Sequence, residues 1–157
     1  MTGDPTESEP APVLSIVIPV YNEVQTIGRI LDEVAKALPE TPKQIVIVDD
    51  RSSDGTSDWL RRNLGHSEGS WRRLLLNAGG DLQLSADGPP NHSEISFTVL
   101  FHERNRGKGA AVRTGLTSAS GDVVRWVWHR DRNICADRTR AALANLRGGD
   151  QLLWPYL

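Results

Sequence analysis

The segment IVIVDDRSSDGT, residues 45–56, decides how the rest of this chain is interpreted. Four β-branched apolar residues run without alternation into the adjacent carboxylates Asp49 and Asp50, and a polar turn with Asp54 follows. An unbroken apolar run of this kind predicts a strand buried on both faces. Open α/β sheets bind ligands beyond the carboxyl ends of such strands, so the carboxylates predict a binding edge. A simpler interpretation stays open, in which they only cap a turn and the next helix.

The preceding segment has the order strand, turn, helix. An apolar run at 13–20 leads into a polar turn, and residues 24–38 carry apolar side chains at helical spacing. Alternating strands and helices predict a parallel sheet with right-handed crossovers. The turn residues Tyr21 and Glu23 should therefore lie at the same sheet edge as the carboxylates that follow the strand at 45–48.

A third strand is predicted at 95–101, and the helix after it opens with Gly107 and Lys108. Small residues allow close approach of the backbone, while Lys108 and Arg113 add positive charge beside a helix N-terminus that itself favours anions. Surface lysine and arginine need no such explanation, so simple solvation of these two side chains stays open. The connection at 65–96 is predicted to be a surface excursion within the same domain, with a short strand or ribbon near its start.

Length and composition limit the possible classes of protein. The chain has 157 residues, about one domain, and its net charge of −2 argues against a nucleic-acid partner. The single Cys135 indicates a reducing compartment, and no apolar run is long enough to span a membrane. Residues 1–12 are acidic and proline-rich, which predicts a disordered tail and not a secretion signal. We therefore expect a cytoplasmic protein.

The four histidines show no spacing typical of metal ligands, and we expect each of them at the surface or in a loop. They are His66, His92, His102 and His129. The glycine-rich stretch at 107–112 matches neither the ATPase P-loop nor the complete dinucleotide-binding pattern. What remains is a mixture of carboxylates, one aromatic ring and a basic helix start, which is typical of a nucleotide pocket.

Three segments, taken in this order, resemble the leading motifs of family-2 glycosyltransferases. They are SIVIPVYNE at 15–23, IVIVDDRSSDGT at 45–56 and HERNRGKGAAVRTGLTSASGD at 102–122. The likeness is greatest to the dolichol- or polyprenyl-phosphate mannosyl- and glucosyltransferases, and it covers residues 13–124. It implies a GT-A fold, which is an α/β fold with a Rossmann-like parallel sheet flanked by helices.

The resemblance also implies a function and a set of binding residues. The function is transfer of a sugar from a nucleotide-sugar, a GDP- or UDP-hexose, to a polyprenyl or dolichol phosphate at a membrane surface or to a glycan. It implies a wall for the base and ribose at Pro19, Tyr21 and Glu23, and a base-contacting acid at Asp50 with Asp49 beside it. Asp54 would lie in the turn that shapes the pocket. Gly107 would also line the site, with Lys108 and Arg113 near the diphosphate. Packing of Tyr21 over the turn, and a purely helix-dipole role for Glu23, stay open.

The family pattern ends after Val124. Mg²⁺ or Mn²⁺ is expected for the family, because such an ion bridges the diphosphate oxygens and neutralises the leaving group. Its Asp-x-Asp motif is absent from the expected place near 128–130, and Asp131 with Asn133 lies in another register. The residues thus assign no metal ligand and no catalytic group. Residues 125–157 form a divergent segment, which a truncated or frameshifted gene would explain.

Three functional interpretations follow from these observations. The first is a glycosyltransferase-like domain that binds a nucleotide-sugar. The second is a nucleotidyltransferase, which would usually carry a glycine-rich basic loop after its first strand, where this chain has IPVYNE at 18–23. The third is a non-catalytic binding module or an inactive fragment, and the missing Asp-x-Asp motif favours it.

Overall fold

The computed structural model describes residues 14–37, 39–65, 69–87, 93–121 and 123–127. Its elements in chain order are β1 (Leu14–Val20), α1 (Ile27–Lys36), β2 (Lys43–Asp49), α2 (Thr56–Leu64), β3 (Ser70–Trp71), β4 (Arg73–Leu76), β5 (Leu82–Ser85), β6 (Ile95–Phe101), α3 (Lys108–Ser118) and β7 (Val123–Trp126). The predicted tail at 1–12 and the divergent segment beyond residue 127, with Asp131 and Asn133, lie outside the described residues.

The main sheet has the strand order β3-β6-β2-β1-β7. Strands β1, β2, β6 and β7 pair in parallel, and the two-residue β3 pairs antiparallel with β6. Strand β2 lies between β6 and β1 and is buried along its whole length, as its unbroken apolar run predicts. The α/β class with a parallel sheet flanked by helices is confirmed.

Helices cover both faces of the sheet. On one face, α1, α2 and a β4-β5 hairpin enclose the larger apolar core, to which Ile16, Ile45 and Trp59 belong. On the other face, α3 packs on β1 and β2 over a smaller cluster around Val17 and Val48. Helices α2 and α3 lie on opposite faces because the connections between parallel strands are right-handed. The connection through α3 runs back across the sheet from β6 to β7, which lies on the far side of β1 from β2.

The close contact between α3 and the sheet depends on Gly115. A Cβ atom at this position would lie 2.3 Å from Cγ1 of Val17 and 3.3 Å from Cγ2 of Val48. Only glycine therefore allows the helix to approach β1 this closely. At the end of α3, the buried side chain of Gln44 accepts hydrogen bonds from Ser15 and Ser120 and donates one to the carbonyl of Ser118.

Three details differ from the sequence-based expectations. Helix α1 begins at Ile27 and not near residue 24, because the carbonyl of Glu23 first accepts the backbone N–H groups of Thr26 and Ile27 in a turn. The connection at 65–96 is more than a surface excursion, since its hairpin contributes the buried Leu74 and Leu82 to the core. Strand β7 continues two residues past the boundary expected at 124, as an edge strand of the described sheet.

Candidate binding site

The carboxyl ends of β1, β2 and β6 meet at one edge of the sheet. Val20 is paired with Asp49, and Asp49 is paired with Phe101. The pairing continues one residue further, because the N–H of Asp50 donates to the carbonyl of Val20 over 2.9 Å and the N–H of His102 to that of Asp49 over 2.9 Å. The predicted meeting of the Tyr21 to Glu23 turn with the carboxylates is confirmed.

The direction of the chain reverses beside this edge. It steps from β1 to β2 and then to β6, and it returns to the opposite side of β1 for β7. In open α/β sheets such a reversal leaves a crevice at the carboxyl ends of the strands, and ligands bind there. Tyr21 directly follows β1 and the residue is 50% exposed, so it is not part of the buried core.

The loops after β1 and β2 are held together by Asn22. Its backbone N–H donates to Oγ of Ser52 over 2.9 Å, and its Oδ1 accepts the N–H of Ser53 over 2.8 Å. Asn22 and Arg51 both have a left-handed backbone, with φ of 53° and 63°. A non-glycine residue in this region is uncommon, and such residues cluster at functional sites. These bonds join the two loops into one wall of the crevice.

Asp54 connects the loop after β1 with the start of α2. It accepts the backbone N–H of Val24 over 3.2 Å and of Thr56 over 3.0 Å, together with the Thr56 hydroxyl. Partial burial raises the pKa of Asp54, but these hydrogen bonds outweigh it, so the pKa lies below the ordinary value. The hydroxyl of Thr56 in turn accepts the N–H of Glu23 over 2.9 Å. The contacts of Asp54 fit the turn-shaping position that the resemblance implies.

Asp49 is turned inward. It is 1% exposed, and its two carboxylate oxygens accept hydrogen bonds from the hydroxyls of Ser52 and Ser57. The simpler of the two sequence interpretations, an acid that organises a turn and the next helix, describes these contacts.

Asp50 is also buried, at 3% exposure, but its contacts reach a different loop. Its Oδ1 lies 2.7 Å from Nδ1 of His102 and accepts the N–H of Arg106 over 2.8 Å. Its Oδ2 accepts the N–H of Gly107 over 2.8 Å. A carboxylate has about four acceptor positions, so the hydrogen bonds from the described residues leave about one for a ligand.

His102 is the residue that sequence reasoning missed. It lies in the loop after β6, as expected, but the sequence did not indicate that its side chain is only 7% exposed or that both ring nitrogens have partners. One signal was available, since His102 follows β6 at the position that Asp50 occupies after the neighbouring β2. The other three histidines lie outside the described residues.

The remaining predicted residues lie on both sides of the crevice. Pro19 and Glu23 are half-buried beside Tyr21, Gly107 and Lys108 are exposed at the start of α3, and Arg113 is exposed in the middle of that helix. Gly107 has a φ of 87°, which favours glycine at that point. The guanidinium of Arg113 lies 3.8 Å from the Cβ position of Gly109, so it folds back over the first turn of the helix.

The described part of the chain contains no cluster of three or more His, Cys, Asp or Glu side chains that could hold a metal ion. Each of Asp49, Asp50 and Asp54 instead accepts hydrogen bonds from its own neighbours. The place near 128–130 where the resemblance implies the metal-binding motif lies outside the described residues. Within the described residues, no helix is long and apolar enough to cross a membrane.

The fold of this chain has a counterpart among solved structures. It is similar to that of Staphylococcus aureus TarS (residues 1–349), with a TM-score of 0.52 and 22% identity over 85% of this chain and 32% of that one. The fold is that of the GT-A glycosyltransferases, as predicted.

The sequence matches are more specific. Residues 15–72 match the model "Glycosyl transferase family 2". The chain is 30% identical over 121 residues to the undecaprenyl-phosphate 4-deoxy-4-formamido-L-arabinose transferase of Yersinia enterocolitica, covering 76% of this chain and 29% of that protein. It is 27% identical over 125 residues to the dodecaprenyl-phosphate galacturonate synthase of Rhizobium johnstonii, covering 78% of this chain and 28% of that protein. The resemblance to family-2 glycosyltransferases is thereby confirmed, although the chain spans less than a third of the length of these relatives.

Proposed function

We propose that this chain binds a nucleotide-sugar, a GDP- or UDP-hexose, in the crevice at the carboxyl ends of β1, β2 and β6. The observation that carries the proposal is the hydrogen bond between the Asp50 carboxylate and the N–H of Gly107, at 2.8 Å. It brings the start of α3 next to the loops after β1 and β2. A surface for a base and ribose and a surface for phosphates thus share one edge.

Each side of the crevice has the chemistry for one part of the ligand. The exposed ring of Tyr21 offers a flat surface for a base, and Pro19 and Glu23 beside it border the ribose. Lys108 and Arg113 supply positive charge for the diphosphate at the start of α3. Asp50 has about one acceptor position left for a base N–H. Asp49 and Asp54 act by holding the loops in shape.

We further propose that the whole protein, of which this chain would supply the donor-binding part, transfers the sugar to a polyprenyl or dolichol phosphate. The names of the two relatives support a lipid-phosphate acceptor, since one is an undecaprenyl-phosphate transferase and the other a dodecaprenyl-phosphate synthase. Such an acceptor is anchored in a membrane, so we expect a cytoplasmic protein that works at the membrane surface. Mg²⁺ or Mn²⁺, when bound with the donor, would neutralise the departing diphosphate.

Isothermal titration of the 157-residue chain with GDP, UDP and their hexose conjugates, with and without Mn²⁺, tests the proposal. Metal-dependent binding with slow donor hydrolysis is the expected result for a transferase domain. Tyr21→Ala and Lys108→Ala should each weaken binding, while Lys36→Ala should not, because Lys36 pairs with Asp32 on the exposed surface of α1. Absence of binding to every nucleotide would refute the proposed function.

A non-catalytic nucleotide-binding module is the second candidate. The specific observation in its favour lies in the sequence, where the Asp-x-Asp motif is absent from its expected place near 128–130. Binding that is unchanged by Mn²⁺, with no hydrolysis of the donor, would establish this alternative.

A further inference from the structure

His102 connects three elements at the candidate site. It follows β6, its Nδ1 lies 2.7 Å from Oδ1 of Asp50 at the end of β2, and its Nε2 lies 2.9 Å from Oγ1 of Thr114 in the middle of α3. Its side chain is 7% exposed and that of Asp50 is 4% exposed, so water competes little for these bonds.

The partners determine which ring nitrogen carries the proton. An ionised carboxylate only accepts hydrogen bonds, so Nδ1 must donate to Asp50. In the neutral ring Nε2 is then an acceptor, and the hydroxyl of Thr114 donates to it. In this neutral form the hydrogen bonds would run in one direction, from Thr114 through His102 to Asp50.

Asp50 also forms hydrogen bonds with the loop that precedes α3. Its two oxygens also accept the N–H groups of Arg106 and Gly107, so one carboxylate receives donors from both ends of the segment 102–107. The bond from His102 fixes the plane of the carboxylate, and the carboxylate fixes the two backbone groups. The exposed Lys108 begins α3 immediately after Gly107.

We propose that His102 is a positioning residue for the nucleotide-sugar site. It holds Asp50 in the orientation that closes the loop at Arg106 and Gly107, and so sets where the first turn of α3 presents its positive charge. Its relevance to the ligand rests on the proposed function, but its action on the loop does not. Neither ring nitrogen needs to touch the ligand.

Two substitutions distinguish the hydrogen bonds that the two ring nitrogens of His102 make. The side-chain amide of Asn can place a nitrogen near the position of Nδ1, whereas Gln reaches the position of Nε2. His102→Asn should therefore keep the bond to Asp50 and lose Thr114, and His102→Gln should do the opposite. Hydrogen exchange of the Arg106 and Gly107 amides in the unliganded chain should be faster in His102→Gln and His102→Ala than in His102→Asn.

Nucleotide affinity should follow the same order. We expect the Kd for the nucleotide to rise about tenfold in His102→Gln and His102→Ala, and much less in His102→Asn, because a bond to a buried charge is lost only in the first two. Long-range ¹H–¹⁵N spectra of the native chain should show the tautomer with the proton on Nδ1. All affinities are compared at a temperature where each variant is folded.

Three results would overturn the proposal: a neutral ring that carries its proton on Nε2, equal exchange of the two amides in His102→Asn and His102→Gln, or faster exchange spread evenly over β1 and β2. If the native chain binds no nucleotide, the proposed function fails, and exchange at Arg106 and Gly107 still decides whether His102 holds the loop.

Discussion

Replacement of Gly115 by alanine should destabilise the protein even though alanine is the better helix former. The added Cβ would lie 2.3 Å from Cγ1 of Val17, well inside normal contact distance, and 3.3 Å from Cγ2 of Val48. Both valines are fully buried, at 0% exposure, so neither can turn away into solvent. Overpacking of this kind costs about 1–3 kcal/mol, against about 1 kcal/mol of improved helix propensity. Because a separation of 2.3 Å is a severe overlap, the cost should lie near the upper end, about 2–3 kcal/mol, which leaves a net loss of roughly 1–2 kcal/mol in the free energy of unfolding.

The same helix offers a matched control. A Cβ at Gly109 would meet only Nη1 of Arg113, at 3.8 Å, which is an ordinary contact. Gly109→Ala should therefore leave stability unchanged or raise it by up to about 1 kcal/mol. Urea denaturation at constant pH measures both variants, and a change in midpoint at constant slope isolates the difference in stability. Equal stability of Gly115→Ala and Gly109→Ala would refute the close approach of α3 to β1.

A double-mutant cycle identifies the contact itself. Val17→Ala removes the methyl group that the new Cβ would meet, at the cost of a small cavity. Gly115→Ala should then cost less in the Val17→Ala background than in the native chain, with a favourable interaction energy of about 1 kcal/mol or more. Additive effects would place the strain of Gly115→Ala elsewhere.

Three further predictions concern buried or bonded polar groups. Burial lowers the pKa of Lys43 from 10.5 to about 8, so the unfolded chain binds more protons between these values and the free energy of unfolding should rise with pH across that window. The rise, measured against Lys43→Met by urea titration, should reach about 3 kcal/mol, and parallel pH profiles would contradict it. Gln44→Glu removes the donors to Thr98 and Ser118 and buries a charge, so it should cost about 3 kcal/mol or more, and a loss below 1 kcal/mol in thermal or urea unfolding would argue against the network. Hydrogen bonds hold the pKa of Asp54 below 3.8, so its contribution to stability is present above that value and is lost as the pH falls through the lower folded-state pKa. Asp54→Asn should reduce the acid sensitivity of unfolding, and an unchanged acid limb would show that these bonds are unimportant.

Local patterns in the sequence determined several elements closely. The predicted helix at 56–64 and strand at 95–101 have the bounds seen in the structure, because apolar periodicity and the neighbouring glycines specify them within a few residues. The meeting of Glu23 and Asp50 at one edge was also predictable. It follows from parallel pairing, which places the ends of all such strands on the same side.

The identity of the partners at that edge was decided only by the tertiary structure. Asp50 is bonded to His102, 52 residues further along the chain, and no local pattern in either segment specifies that distance. The same is true of Gly115, which reads as a weak point in a helix until α3 lies on Val17. The sequence by itself determined the long parallel strands β1, β2 and β6 and the edge where their carboxyl ends lie, since these depend on neighbouring residues. Only the tertiary structure decided which polar groups are satisfied by internal hydrogen bonds and which remain exposed at the crevice. The reason is that strand order brings together residues that are far apart in the sequence.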